Sequence, residues 1–187
     1  MTIFGADLAI MLAMNAKQKF ICDEIAILAW SASVQRAKLY NQTIPLEKRE
    51  SDSFRASVLD FVETDLLPKY KSRCSELEHL ANIRRLVDFG TTKGKNLLGP
   101  DGYKFGVAQK LLNLLLKYLW CLGYVEEPPH CPVDRIVLAK TTLRDRLNWT
   151  EIKTAEKYSE AINAIRVVAQ GEGISLAQWE LKAYRRR

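Results

Sequence analysis

The sequence lacks three patterns that would each define a class of protein. No segment shows a convincing strand-type alternation, whereas apolar residues recur at helical spacing almost everywhere. The four cysteines include no CxxC pair, and no apolar run is long enough to cross a bilayer. We therefore expect an all-α protein of about eight helices. Its 187 residues are enough for one substantial core, in one compact domain that consists of either a single body or two helical lobes with a cleft between them.

The cysteines and histidines do not form a convincing metal site in the sequence. Cys121, His130 and Cys131 come nearest to one, but two of the three are adjacent in the chain and a fourth ligand is missing. The other cysteines, Cys22 and Cys74, lie in apolar or helical surroundings, and there is no array of the iron–sulfur type. We expect no metal and no cofactor, and free cysteines of this kind are typical of a cytoplasmic protein.

The N-terminal stretch "IFGADLAIMLAM" is apolar but too short to span a bilayer. It has no basic lead-in and runs directly into Lys17 and Lys19, so it does not have the pattern of a signal peptide. We expect it to be a core helix, and we expect no membrane partner.

Basic residues are in modest excess, and several of them lie in a glycine-rich segment. Lys and Arg total 28 against 22 Asp and Glu, which gives a net charge of +6 and suits a polyanionic partner. The segment 90–106, "GTTKGKNLLGPDGYKFG", holds five of the nine glycines together with Lys93, Lys95 and Lys104. It divides the chain into a helical lobe at about 1–89 and a second lobe at about 107–187. The segment is a candidate for phosphate binding, and a plain surface loop with solubilising lysines is the alternative.

The helix predicted at about 107–122 is apolar except for Asn113 and Lys117 beyond its first turn, so it should be packed in the middle of the protein. Buried Asn113 would need hydrogen-bond partners, and we expect it to tie the helix to a neighbouring backbone segment. Lys110 lies in the first turns, where the helix dipole disfavours a cation. Its pKa should be lowered, which makes it a candidate nucleophile. The alternative is that Lys110 reaches water from the edge of the core.

Asp134 follows "PPHCP", in which three prolines hold the chain rigid, and it precedes the short helical run "RIVL". Its position is typical of a helix N-cap. A capping carboxylate has a fixed direction, so it can also stabilise a developing positive charge or accept a proton if it faces a cavity.

The run "GVAQKLLNLLL", followed by "PVD" and an apolar helix, resembles the core of the helix-hairpin-helix DNA glycosylases, the superfamily that includes endonuclease III and the 8-oxoguanine glycosylases. The resemblance implies that Gly106 is the first hairpin glycine, Lys110 the Schiff-base lysine and Asp134 the catalytic carboxylate. The hairpin is irregular, because Ala108 stands where the family has a second glycine and Lys104-Phe105 where it has Leu-Pro.

This resemblance implies a DNA glycosylase, with or without AP lyase activity, that flips a damaged or modified base out of double-stranded DNA or takes it from a single strand. We expect a monomer, and we leave open whether it repairs endogenous damage or attacks modified viral DNA. The expected phosphate contacts are Lys93, Lys95, Lys104, Gly106 and Arg135, and the aromatic residues considered for stacking on a base are Trp30, Tyr103, Phe105 and Trp120. Two alternatives remain: a non-catalytic nucleic-acid-binding module on the same scaffold, and an all-α interaction protein unrelated to nucleic acid.

Overall fold

The computed structural model describes residues 15–184, of which 64% are helical and none forms a strand. The α-helices are α1 (Ala16–Val34), α2 (Lys48–Phe61), α3 (Glu76–Lys93), α4 (Phe105–Cys121), α5 (Arg135–Leu138), α6 (Ala155–Gly171) and α7 (Leu176–Ala183). The prediction of an all-α fold is confirmed for the described residues, which form one compact chain with seven α-helices. The N-terminal stretch that was expected to form a further helix lies outside the described residues, and the division into two lobes stays a prediction.

Helix α3 shows how a glycine can serve packing instead of ending a helix. The glycine-rich connection was expected to begin at Gly90, but α3 continues through Gly90 to Lys93. A Cβ atom on Gly90 would lie 2.5 Å from the ring of Tyr103, so only glycine allows this approach. The N-terminus of α3 is fixed by a capping box, in which the Ser75 side chain accepts from the Glu78 amide and the Glu78 carboxylate accepts from the Ser75 amide.

Helix α2 leads directly into two other helical turns, a π-helical turn at Val62–Leu66 and a 3₁₀ turn at Leu67–Tyr70. Pro68 stands at the start of the second turn, where a missing N–H group is tolerated. These turns bring the side chain of Tyr70 into the core, where it is 1% exposed.

Helix α4 is the central element, as its apolar sequence predicts. It packs against α1, α3, α6 and the 3₁₀ turn Trp149–Glu151, and every residue from Phe105 to Lys117 is buried. Lys117 is buried together with Glu180 of α7, and the two form a salt bridge of 3.0 Å that joins these helices. In the described part of the chain, no helix combines the length and the apolar composition that a membrane span needs.

Candidate functional site

Lys110 is buried in the second turn of α4, and its ammonium group lies over an aromatic ring. The Nζ atom is 4.0 Å from the ring centroid of Trp149, which is itself buried in the 3₁₀ turn Trp149–Glu151. Among the described residues, no carboxylate forms a salt bridge with Lys110 and no group hydrogen-bonds to it. Within the described chain, the amine therefore contacts an aromatic ring and not a carboxylate, unlike the amine of buried Lys117.

Asp134 is the N-cap of α5, as its sequence position predicts. The Oδ1 atom accepts from the amides of Ile136 and Val137, at 2.8 and 3.0 Å. Both capping bonds go to the same oxygen, and Oδ2 accepts no hydrogen bond from the described residues. The carboxylate is thus fixed in direction, is only partly buried, and keeps one oxygen for another partner.

Gln109 joins the helix that carries Lys110 to the segment that carries Asp134. Its Nε2 donates to the carbonyl of Val133 at 2.8 Å, and its Oε1 accepts from the amide of Val133 at 3.1 Å. Nε2 also donates to the carbonyl of Gly106 at 3.0 Å. Since Gln109 is fully buried and Val133 directly precedes Asp134, these bonds fix the two candidate catalytic residues relative to each other.

The pKa of Lys110 is lowered from its ordinary value, mainly because burial disfavours the charged ammonium. The carboxylate of Asp134 acts in the opposite direction and raises the pKa, and the guanidinium of Arg36 lowers it further. Both charged groups are therefore within electrostatic reach of Lys110. More of Lys110 is the free, nucleophilic amine than in an exposed lysine at the same pH.

Most of the aromatic residues considered for base stacking form the core instead. Trp30, Tyr103 and Phe105 are buried, with Trp30 and Tyr103 packed edge-on against Phe54. The ring of Phe54, which both Trp30 and Tyr103 contact, belongs to α2, and Phe105 packs against Tyr158 of α6. Trp120, near the end of α4, is partly exposed.

Two of the expected phosphate contacts are used inside the protein. The amide of Gly106 donates to the carbonyl of Ile152 at 2.8 Å, and a Cβ atom on Gly106 would overlap the carbonyl oxygen of Trp149. Gly106 lies within α4 and not in a hairpin, so its amide is not free for a phosphate. Lys104 donates to the carbonyl of Ala37 at 2.8 Å and lies 3.7 Å from Asp101. The other three expected contacts, Lys93, Lys95 and Arg135, are exposed.

Asn113 lies in a buried polar network behind the site. Its Nδ2 donates to the hydroxyl of Tyr158 at 3.0 Å and to Oε1 of Gln109 at 3.3 Å. These partners are side chains, so the expected backbone link is made by Gln109 and not by Asn113. The Tyr158 hydroxyl also lies 3.0 Å from Nδ1 of His130, which extends the network to the segment before α5.

The two histidines of the sequence, His79 and His130, form a buried pair whose rings meet edge to face with centroids 4.9 Å apart. His79 Nδ1 is 2.7 Å from the hydroxyl of Tyr70, which also accepts from Asn82 at 3.2 Å. Burial lowers the pKa of His130 to about 3 and lowers the pKa of His79 well below its ordinary value. Both imidazoles are therefore neutral near pH 7. No three His, Cys, Asp or Glu side chains within 15–184 are grouped to hold a metal ion.

The surface carries two shallow grooves, of about 510 and 470 Å³. The first lies between α3 and α6 and is lined by residues such as Arg84 and Ser159, so it is formed by helices from both sides of the glycine-rich segment. The second adjoins Lys93. Neither groove is lined by Lys110 or Asp134, and Trp149 covers Lys110 in this conformation.

Three residues around Lys110 were missed in the sequence: Gln109, Trp149 and Arg36. Gln109 could have been noticed as one more polar residue in a helix that is otherwise almost wholly apolar. Trp149 and Arg36 gave no such signal, because each reaches Lys110 only through the tertiary fold.

No family model matches this chain, and neither a curated protein nor a solved structure matches it.

Proposed function

We propose that this protein is a DNA glycosylase that removes a damaged or modified base, with Lys110 as a Schiff-base nucleophile and Asp134 as the catalytic carboxylate. The observation that supports this most directly is the Gln109 link, which joins the helix of a lysine with a lowered pKa to the segment of a partly free carboxylate that acts on it electrostatically. A purely structural lysine in this core would be expected to have a carboxylate partner, as Lys117 has in Glu180.

The proposed chemistry starts with a nucleotide flipped out of the helix, because a stacked base cannot be reached. Departure of the base gives the sugar oxocarbenium character, which the carboxylate of Asp134 would stabilise. The Lys110 amine forms a bond to C1′ while the C1′–N bond breaks, and the base leaves with the bonding pair and takes up a proton. The attached nitrogen then loses a proton, the C1′–O4′ bond breaks while O4′ takes up a proton, and a Schiff base forms. Loss of a proton from C2′ then eliminates the 3′ phosphate. Trp149 has to shift for a nucleotide to reach Lys110. We expect a cytoplasmic monomer that needs no cofactor.

Borohydride trapping tests this proposal. The wild-type protein is incubated with oligonucleotides that carry oxidised, deaminated, alkylated or hypermodified bases or an abasic site, and the covalent adduct is measured after reduction. We expect trapping by the wild type and none by Lys110→Ala. We expect Asp134→Asn to bind DNA but to release base at least tenfold more slowly, since a positioned carboxylate contributes about 100- to 10,000-fold in such reactions.

Lys153→Ala is the matched control. Lys153 is more exposed than Lys110, and it has a carboxylate partner, Asp101, which also lies near Lys104. It should trap DNA as the wild type does. If the wild type processes no member of the panel and forms no adduct on abasic DNA, the enzyme proposal fails. Salt-dependent DNA binding without processing would then favour a non-catalytic nucleic-acid-binding module. If the protein does not bind DNA at low salt, the remaining alternative is an all-α interaction protein unrelated to nucleic acid.

A further inference from the structure

The turn after α1 has an unusual backbone. Arg36 and Lys38 have φ angles of 64° and 45°, in the left-handed region that side chains other than glycine, asparagine and aspartate rarely adopt. No other non-glycine residue of the described chain has a positive φ. Such strain persists only where surrounding contacts impose it, and it concentrates at sites that bind or react.

The contacts that impose this backbone come from the turn between the two strained residues and from the segment that follows. Ala37 is buried, its amide donates to the carbonyl of Val34 at 3.1 Å, and its carbonyl accepts from Lys104 at 2.8 Å. Leu39 is buried as well, and its carbonyl accepts from the amide of Gly99 at 3.0 Å. Lys104, expected in the sequence to contact DNA, thus holds this turn in place.

The result is a rigid turn that directs two cations outward. Arg36 and Lys38 are exposed, and neither has a hydrogen bond or salt bridge to any residue that the structure describes. Lys104, which donates to Ala37 of the turn, is the N-cap of α4, so the turn lies at the end of the helix that carries Lys110. The charge of Arg36 also lowers the pKa of Lys110. Arginine can grip a phosphate with two parallel N–H groups, and lysine adds a compact charge beside it.

We propose that the Arg36–Lys38 turn binds backbone phosphates of DNA next to the nucleotide that reaches Lys110. The ligand class rests on the proposed function. The position rests on the backbone of the turn and on two exposed cations that have no partner among residues 15–184. An exposed cation that is not already paired with a carboxylate can neutralise a DNA phosphate. The counterion of that phosphate is then released into solution, which favours binding.

The test is the salt dependence of DNA binding by the full-length protein. The variants are Arg36→Asn and Lys38→Asn, because asparagine tolerates the left-handed backbone and removes only the charge. Binding to a labelled duplex, with and without an abasic site, is measured from about 50 to 300 mM salt. Each substitution should weaken binding at low salt and reduce the slope of log K against log salt by about one. The melting temperature should not fall.

Arg49→Asn and Lys48→Asn are the charge-matched controls, because they remove the same two charges from exposed positions at the start of α2, where no contact with DNA is expected. They should change the slope less than the turn variants do. An equal change in all four proteins would overturn the proposal, since it would reflect net charge alone. Unchanged slopes for Arg36→Asn and Lys38→Asn would also overturn it.

The two proposals can fail separately. If the turn variants lose salt-dependent binding while the wild type processes no base, the glycosylase proposal fails and the phosphate-binding turn stands. If the wild type releases bases and the turn variants bind DNA as the wild type does, the phosphate-binding turn fails and the glycosylase proposal stands.

Discussion

At Lys110, two effects of one neighbour oppose each other. The face of Trp149 attracts the ammonium, and such a contact is worth about 0.5–2 kcal/mol in favour of the charged form. The same ring excludes water, which favours the neutral form. Burial is the largest cause of the lowered pKa of Lys110, and the ring of Trp149 contributes to that burial. The same contact therefore both attracts the ammonium and removes water from it.

The hydrogen bonds of Gln109 give a prediction at the same scale. Gln109→Met has a similar volume but removes both bonds to Val133. We expect base release in a single turnover to fall about 10- to 100-fold while DNA binding is retained, because small displacements of positioned groups cost this much in rate. Single-turnover kinetics and a binding titration measure the two quantities.

A second readout separates positioning from a loss of stability. Since Asp134 raises the pKa of Lys110, Asp134→Asn should lower it, as NMR of isotope-labelled methylated lysine can report. When Asp134→Asn is introduced into Gln109→Met, the pKa of Lys110 should fall by less, because the carboxylate was no longer held in place before it was removed. Asn82→Leu is the control: it removes another buried amide, one bonded to Tyr70, and should leave the response intact. An equal fall in the Lys110 pKa in Gln109→Met and in the wild type would contradict the positioning role of Gln109.

At the scale of elements, the junction between α4 and the segment 149–152 depends on a single glycine. The amide of Gly106 bonds to Ile152, and Trp149, in the same segment, covers Lys110. The junction therefore sets both the depth of Lys110 and the position of the ring above it.

Gly106→Ala should destabilise the protein by about 1–3 kcal/mol, because the added methyl group meets the carbonyl of Trp149 and the core cannot shift freely. Urea unfolding measures the change. Gly171→Ala is the matched control at the end of α6, where a Cβ atom has no neighbour within 4 Å. It should be neutral or stabilising by up to about 1 kcal/mol. Equal stability of the two variants would show that the junction is not close-packed.

The same elements show what the sequence could and could not reveal. The burial of α4 and the capping role of Asp134 followed from local patterns, namely an all-round apolar helix and an aspartate before a helical run. The end of α3 was misplaced, because glycine marks helix ends and close packing alike, and only the position of Tyr103 decides between them. The roles of Lys104 and Phe105 depend on partners distant in the sequence, Ala37 and Tyr158, which no local pattern contains.

At the scale of the whole molecule, the buried histidine pair links stability to pH. An unfolded histidine titrates near pH 6.5, whereas the pKa of His130 is about 3 in the folded protein and that of His79 is also far below its ordinary value. Between these limits the unfolded chain binds protons that the folded protein cannot. Stability should thus fall as the pH drops below about 6.5, by up to about 1.4 kcal/mol per pH unit for each histidine.

Urea unfolding from pH 7.5 to 5 tests this dependence, in a range where most carboxylates remain ionised. His130→Gln should show a shallower decline than the wild type, whatever its stability at neutral pH, because one of the two histidines no longer titrates. Identical slopes for the two proteins would mean that His130 is not the group that couples folding to protons.

Because α4 is enclosed on nearly every side, its packing also limits which substitutions it can accept during evolution. Most substitutions at its buried positions would change the packed volume and destabilise the protein, whether or not the residue takes part in a reaction. Lys110 is an exception, because methionine or arginine could keep the packing of its aliphatic stem while losing the nucleophile. A descendant that had become a pure binding protein could therefore differ at Lys110 without repacking the buried part of α4.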